Sequence, residues 1–589
     1  MARHSVSFSL FWLAFAATAN SALEYPEIRD TAYSIPSAAY FVAVTGSDGN
    51  AGNAAAPFRT LSRAIEAASS GATIVLRQGT YRESVPLVSK RLTIQPYPRE
   101  QVWLKGSIVV SDWIRSGTVW RADNWTHEFD RNSYERGSID SQHPYAGYPD
   151  MVYVDGQPLA QVGKLADVGP GRFFVDYRND KLYIGTDPKG SLVEASAFRQ
   201  AVRVSADGTV IRGLGFMHYA GGRLDGMLQF DSSDNVTIEN NTFALAASRG
   251  LAMYRGDGAT VRGNTFLNNG QMGYGAWRYD NVRIEGNRFA GNNQERFVLH
   301  GPVAEAAGAK LTVGKNWVIR DNVFENNQAT GLWLDISNYN AIIVNNRVVD
   351  NLSYGIYYEI SGKAIIASNL VVGNRSGIRV SNSSDVRIYN NTLARNFENF
   401  SIQDDNRRNF DPDELKLGIT YITANVELRN NILSNGDLSQ NPFIWARDFS
   451  STPLKAAEQM ISVCDSNAYY RTNSNSPAIL IRWWSDDRES TFRHVDEFRK
   501  ATGCENNGIV VDDVAINPFF VDETGGDYRL KSASIALRAG ASLPHDIADA
   551  IGVTAGVPVD LGALGVEPLR GCNGLCKSVR RRPEPNVYE

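Results

Sequence analysis

Two short segments end in a carboxylate at the same distance from the same landmark. Gly331-Leu-Trp-Leu-Asp335 follows Asn322 and Gly355-Ile-Tyr-Tyr-Glu359 follows Asn346, and each acid stands 13 residues beyond its Asn. In a strand the first and third residues after the Gly point one way and the second and fourth the other. If these are neighbouring strands of one sheet, Asp335 and Glu359 lie side by side with backbones about 4.8 Å apart. Retaining glycoside hydrolysis needs two carboxyl groups about 5–5.5 Å apart, one as nucleophile and one as acid/base. Like charges that close also split their pKa values, which keeps one of them protonated. The other residues of this face are Tyr254 and Trp277 in the fourth-place column and Trp333, Tyr357 and Arg379 in the second. The aromatics offer flat apolar faces to sugar rings. The plainer alternative is a structural cation site or a solvated acidic edge.

A second chemistry is written just ahead of this pair. The stretch from His300 to Lys310 ends Ala307-Gly-Ala-Lys310. Taken alone, Lys310 is a surface or structural lysine; what its segment resembles gives it a chemistry. His300 and Glu295 are weaker substrate contacts, as are Asp404, Asp405, Arg407 and Arg408 at the start of an insertion. A third reading is a carbohydrate-binding solenoid without catalysis, which would keep the aromatics but need no acids in register.

A repeat must position these residues. Asn followed one or two places on by an apolar residue recurs at Asn241, Asn264, Asn287, Asn322, Asn346, Asn369, Asn391 and Asn431, at intervals of 23, 23, 35, 24, 23, 22 and 40. A second row reads Asn269, Asn293, Asn327, Asn351, Asn374 and Asn396. Short apolar runs between turns, without helical periodicity, predict a parallel β-helix of three strands per coil. The Asn rows are architectural: Asn tolerates left-handed turns, and stacked amides hydrogen-bond along the solenoid. The two long intervals are coils with inserted loops. Ahead of the ladder, strand, Gly-rich loop, short amphipathic helix and strand (Tyr40 to Glu83) predict a cap over the solenoid's open end. The Trp-rich stretch near 105–200, with the hairpin Phe173 to Gly185, predicts an inserted β-rich module.

Three resemblances sharpen this. The entry segments Tyr40 to Asn53, Ala56 to Ala68 and Gly71 to Glu83 resemble those of secreted right-handed β-helix proteins that act on polysaccharides, in the pectate-lyase-like superfamily. The Asp335 and Glu359 segments resemble those carrying the catalytic carboxylates of β-helical glycoside hydrolases of the β-xylosidase type, which also have an inserted β-sandwich. That resemblance implies Asp335 as nucleophile and Glu359 as acid/base. Ala307-Gly-Ala-Lys310 ahead of Gly-x-Trp-x-Asp335 resembles the catalytic Lys segment of calcium-dependent pectate lyases, which implies Lys310 as the base that removes the C5 proton of a uronic acid, calcium or a cation such as Arg379 stabilising the anion, and Asp335 as a metal ligand; a C5-epimerase would use similar groups. The stretch Asn517 to Asp560 resembles the closing segment of the same proteins.

Composition bounds the rest. Among 589 residues, 59 Lys+Arg face 64 Asp+Glu, a net charge of −5 that argues against nucleic-acid binding. Hydrophobic content of 43% argues against a disordered chain. Arg3 and His4 followed by an apolar run to Ala17-Thr-Ala19 read as a secretory signal peptide, too short to span a bilayer. Export permits disulfides, with Cys464–Cys504 and Cys572–Cys576 as plausible pairs. The Asn-x-Ser/Thr matches are weak glycosylation signals. The expected organisation is a signal peptide over 1–22, an N-terminal cap and first coils over 38–104, the inserted module over 105–200, the main parallel β-helix with its closing coil over 201–570 and a tail over 571–589. The expected protein is all-β, a secreted monomer acting on a polysaccharide or oligosaccharide. It has no membrane span and needs no cofactor, calcium entering only with the lyase reading.

Overall fold

The computed structural model describes Glu24 and residues 26–135, 137–301, 303–435, 441–450, 455–485 and 488–563. The expected signal peptide, the tail and the Cys572–Cys576 pair lie outside the described residues. Three long sheets, of 13, 12 and 13 strands, run along the molecule, and between the strands Val202–Val204 and Ala468–Arg471 each coil gives one strand to each. One coil reads Thr237–Glu239, Thr242–Ala244 and Arg249–Asp257; the next repeats it in parallel as Thr260–Arg262, Thr265–Leu267 and Met272–Asp280.

The Asn rows are hydrogen-bonded ladders. In the first, Asn241, Asn264, Asn287, Asn322, Asn346, Asn369, Asn391, Asn431 and Asn467 each donate an amide N–H to the next residue's Oδ1 or, at the end, to Glu505. Each also donates to a backbone carbonyl of the preceding coil, for example Asn346 to Ile319 at 2.9 Å. These are buried backbone groups that the corner of the coil would otherwise leave unpaired. Two readings of the sequence are corrected. The second ladder runs through Asn292, not Asn293, whose amide instead donates to the Phe297 and Gln328 carbonyls. The left-handed residue at the corner is the one before each ladder Asn, such as Asn240 (φ 53°), Asp321 (φ 58°) and Asn345 (φ 56°). The apolar residue two places after the ladder Asn fills the core: Phe243, Phe266, Phe289 and Phe324 stack at 4.6–5.0 Å. Such ring pairs add about 0.5–1.5 kcal/mol each beyond their burial.

At the first end, the helix Leu61–Ala67 is capped by the Thr60 side chain and buries Leu61, Ala64 and Ile65 against the first strands. Residues 107–196 form two small, mostly antiparallel sheets around Trp125, Val152, Phe173, Leu182 and Ile184. The expected hairpin is present as Arg172–Asp176 against Lys181–Ile184. At the other end the expected closing coil is replaced by a fold-back. The antiparallel ribbon Phe520–Asp522/Asp527–Leu530 packs with Leu370, Ile432 and Tyr470 on the outside of one sheet, and the helix His545–Ile551 covers Val344, Ile365 and Ala367 on another. Cys464 and Cys504 meet, but as free thiols rather than the expected disulfide. The Cys464 thiol is taken up in a bond to Glu505, the carboxylate that ends the Asn ladder.

Candidate functional site

The register of the third sheet settles which side chains are neighbours. Trp333 of strand Thr330–Asp335 pairs with Tyr357 of strand Tyr354–Glu359, so Asp335 and Glu359 occupy equivalent ends of adjacent strands. One coil earlier, Lys310 pairs with Trp333 and Thr312 with Asp335; one coil later, Arg379 pairs with Tyr357 and Ser381 with Glu359. The alternate residues Leu332, Leu334, Ile356 and Tyr358 are fully buried inside the solenoid, as is Tyr274. Each fourth-place residue is followed by a left-handed corner, Ile336 (φ 58°) after Asp335 and Ile360 (φ 37°) after Glu359. A β-branched residue there is strained by about 1–3 kcal/mol. Arg278 and Val313 follow Trp277 and Thr312 in the same way, so the strain belongs to the corner of the coil rather than to the acids alone.

Each acid has its own cation. Lys310 Nζ lies 3.0 Å from Asp335 Oδ2, donates to the Ala304 carbonyl at 3.0 Å and sits 3.7 Å from the centre of the Trp333 ring. Glu359 receives the Trp333 indole N–H at 3.0 Å and Arg407 at 2.5 Å. Burial pushes the Asp335 pKa above the ordinary carboxylate range; Lys310 opposes the rise and the Glu359 charge adds to it. The two counter-ions differ in setting. The Lys310 side chain is 13% exposed and held on three sides; that of Arg407, from the insertion that follows strand Glu398–Asp404, is 40% exposed but is also held, by Asp405, Ser381 and Asn382.

The aromatic face differs from its reading in the sequence. Trp333 and Tyr357 stack on each other at 5.4 Å and are buried, because Val298 and Ala304 of the long coil's loop lie over them. They position the acids and are not open to a sugar. Trp277 and Tyr254 are partly exposed and, with Lys310 and Thr312, line a cavity of about 540 Å³ beside Asp335. Arg223 and Arg249 pair there with Glu305 at 3.0 and 3.4 Å. Burial opposes ionisation of Glu305, but Arg249, Arg223 and Lys310 hold its pKa below the ordinary range. Arg379 lies beyond the stack, over the rings of Tyr354 and Tyr357, and His300 touches Tyr354 at 3.5 Å; neither is among the groups bonded to the acids. Sequence reasoning missed Glu305, Arg249 and Arg223 and gave Arg407 no partner. The sole signal for the first was the extra length of the coil that carries Glu305. Among the described residues no group of three or more His, Cys, Asp or Glu is arranged to hold a metal ion. No helix among them is long and apolar enough to cross a membrane.

Comparison with known proteins bears on the architecture. Residues 226–393 match the family described as Right handed beta helix region. The solenoid is a right-handed parallel β-helix. Residues 44–88 of this β-helix match a family described as Protein of unknown function (DUF1565). A 76-residue segment, 12% of the chain, is 37% identical to the uncharacterized protein YwoF of Bacillus subtilis (strain 168), and spans only 16% of that protein's length. The solved complex of XylC with xylose aligns with a TM-score of 0.54 at 18% identity, over 73% of this chain and 83% of that one. The A-module of the mannuronan C-5 epimerase AlgE4 of Azotobacter vinelandii gives a TM-score of 0.41 at 15% identity, over 73% of this chain and 94% of that one.

Proposed function

We propose that this β-helix is a secreted, carbohydrate-active enzyme that cleaves glycosidic bonds with retention of configuration. The observation that carries the reading is the placement of Asp335 and Glu359 at equivalent positions of adjacent strands, about 4.8 Å apart in backbone. Backbones at that spacing suit carboxyls about 5–5.5 Å apart, as direct attack requires, better than the about 6.5–9.5 Å of inversion. Asp335 attacks the anomeric carbon, and Glu359 protonates the departing oxygen and then deprotonates the water that releases the sugar. The Lys310 contact supports the role given to Asp335. Lys310 bonds Asp335 and opposes the rise that burial causes in its pKa, which favours the ionised form a nucleophile requires. Arg407, itself held by Asp405, Ser381 and Asn382, fixes the orientation of the Glu359 carboxyl. The Trp333 indole aims Glu359. The aromatic cavity, which reaches Lys310, Thr312 and Ile336 around Asp335 without being lined by either acid, would receive the sugar, and the reaction needs no cofactor.

A panel of glycans, followed for reducing sugar and for ultraviolet absorbance, tests the proposal. Hydrolysis releases reducing ends without absorbance, whereas β-elimination leaves a C4–C5 double bond that absorbs. Glu359→Gln is expected to lose about 10²–10⁴-fold on natural glycosides. It should lose far less on aryl glycosides whose leaving group needs no proton, and Asp335→Asn should be inactive on both. Absorbing products, or equal losses for the two variants on every substrate, would overturn the assignment. The alternative with Lys310 as base must break two contacts first, since Nζ is engaged by Asp335 and by the Ala304 carbonyl.

A further inference from the structure

A second cavity, of about 460 Å³, lies away from the paired acids, at the seam between the inserted module and the corners of the solenoid. Its volume falls in the range of small-ligand sites, about 300–1,000 Å³. The module contributes Tyr145, Tyr148, Gln142 and Gln161; the solenoid contributes Asn268 and Glu295. Among the described residues no Lys or Arg lines it. Of its two carboxyls, Asp150 is already occupied by Arg131, Gln161 and the Tyr177 hydroxyl. Glu295 faces the cavity with no hydrogen bond or ion pair to its carboxyl among the described residues, and burial raises its pKa to about 7. Glu295 is partly exposed at the cavity wall, so its carboxyl is open to a ligand hydroxyl. The walls are braced: the Tyr153 ring stacks on His218 at 3.7 Å, His218 bonds Ser107 at 2.9 Å, and Glu194 of the module is gripped by Arg82 and Lys105 at 2.6 and 3.2 Å.

We infer that this seam is a second ligand site, for a neutral, hydroxyl-rich ring such as one or two sugar units. Tyrosine faces, side-chain amides and an unpartnered carboxyl, with His143 the one basic side chain and no Lys or Arg among the described lining residues, suit neutral hydroxyls and disfavour phosphates and uronates. The inference stands on this cavity and is independent of the roles of Asp335 and Glu359.

The test uses the full chain carrying Asp335→Asn and Glu359→Gln, titrated calorimetrically with glucose, xylose, galactose, mannose, cellobiose and xylobiose. Glucuronate, glucosamine and inorganic phosphate serve as charged comparators. A neutral sugar is expected to bind. Ala160→Trp, at the exposed rim of the seam, should remove that binding, and Glu295→Ala should weaken it at least about tenfold, or 1.4 kcal/mol. Glu295→Gln, which keeps a donor and an acceptor, should stay close to the parent. Failure of every neutral sugar to bind, binding that survives Ala160→Trp, or preference for a charged comparator would each overturn the inference. Ala160→Trp in the otherwise unaltered protein should leave glycan cleavage unchanged, so a failure here is distinguishable from a failure of the hydrolase reading. Matching unfolding curves of Ala160→Trp and parent show that lost binding is not lost fold.

Discussion

Replacing Lys310 by Met separates the two chemistries that the paired acids and the lysine could perform. The ammonium lies 3.0 Å from Asp335, and at an effective dielectric constant of about 20 this is a gross attraction of roughly 5 kcal/mol. Desolvation of the ammonium consumes part of it, and in practice a neighbouring opposite charge moves a carboxylate's titration by about 1–3 pH units. Lys310→Met should therefore raise the Asp335 pKa further above the ordinary carboxylate range. The nucleophile must be ionised, so the acidic limb of the kcat/KM profile moves to higher pH, by about 1–3 pH units. At a fixed pH below that limb, each pH unit of this displacement lowers activity about tenfold, and activity returns as the pH rises. Lys310→Arg keeps the charge and should keep most of the profile. The measurement is kcat/KM from acid to mildly alkaline pH for the three proteins. If Lys310→Met and Lys310→Arg are both inactive at every pH, and the parent yields unsaturated products, Lys310 is a base and the reasoning fails.

Other perturbations probe the supports. Trp333→Phe keeps the stack on Tyr357 but removes the N–H that Glu359 accepts; a bond to a charged group is worth about 1.5–3 kcal/mol, so kcat should fall about 10–150-fold with the melting temperature little changed. Asn346→Ala deletes the amide that donates to the Ile319 and Val344 carbonyls and to Asn369, and leaves the Asn322 N–H without its acceptor. Denaturant unfolding should show a loss of about 2–4 kcal/mol, against about 0.5 or less for Lys500→Ala on the exposed side of the helix Val495–Thr502. Because the Asp335 pKa is raised in the folded state, its ionisation opposes folding. Stability should fall as pH rises from the ordinary value of 3.8 through the folded one, and Asp335→Asn should remove that slope in urea titrations across this window.

The sequence by itself determined the solenoid and the order of residues along its faces. The ladder Asn residues recur because every coil must pair the same buried carbonyls at the same corner, so their spacing reports the coil length. Two side chains at the same offset from consecutive anchors must then be neighbours, which placed Asp335 beside Glu359 and Trp333 beside Tyr357. The same logic misplaced the second ladder by one residue, because Asn292 and Asn293 are adjacent and only the hydrogen bonds distinguish them. The tertiary structure decided what covers the face and what neutralises it. The loop carrying Val298 and Ala304 folds over Trp333 and Tyr357, Arg407 reaches Glu359 across 48 residues of chain, and Glu305 gathers two arginines beside the cavity. Insertions are outside the repeat, so no period fixes where they return. Their contacts are set by packing between segments remote in sequence, and that is what turned an aromatic stripe into a buried support and left the open surface to Tyr254 and Trp277.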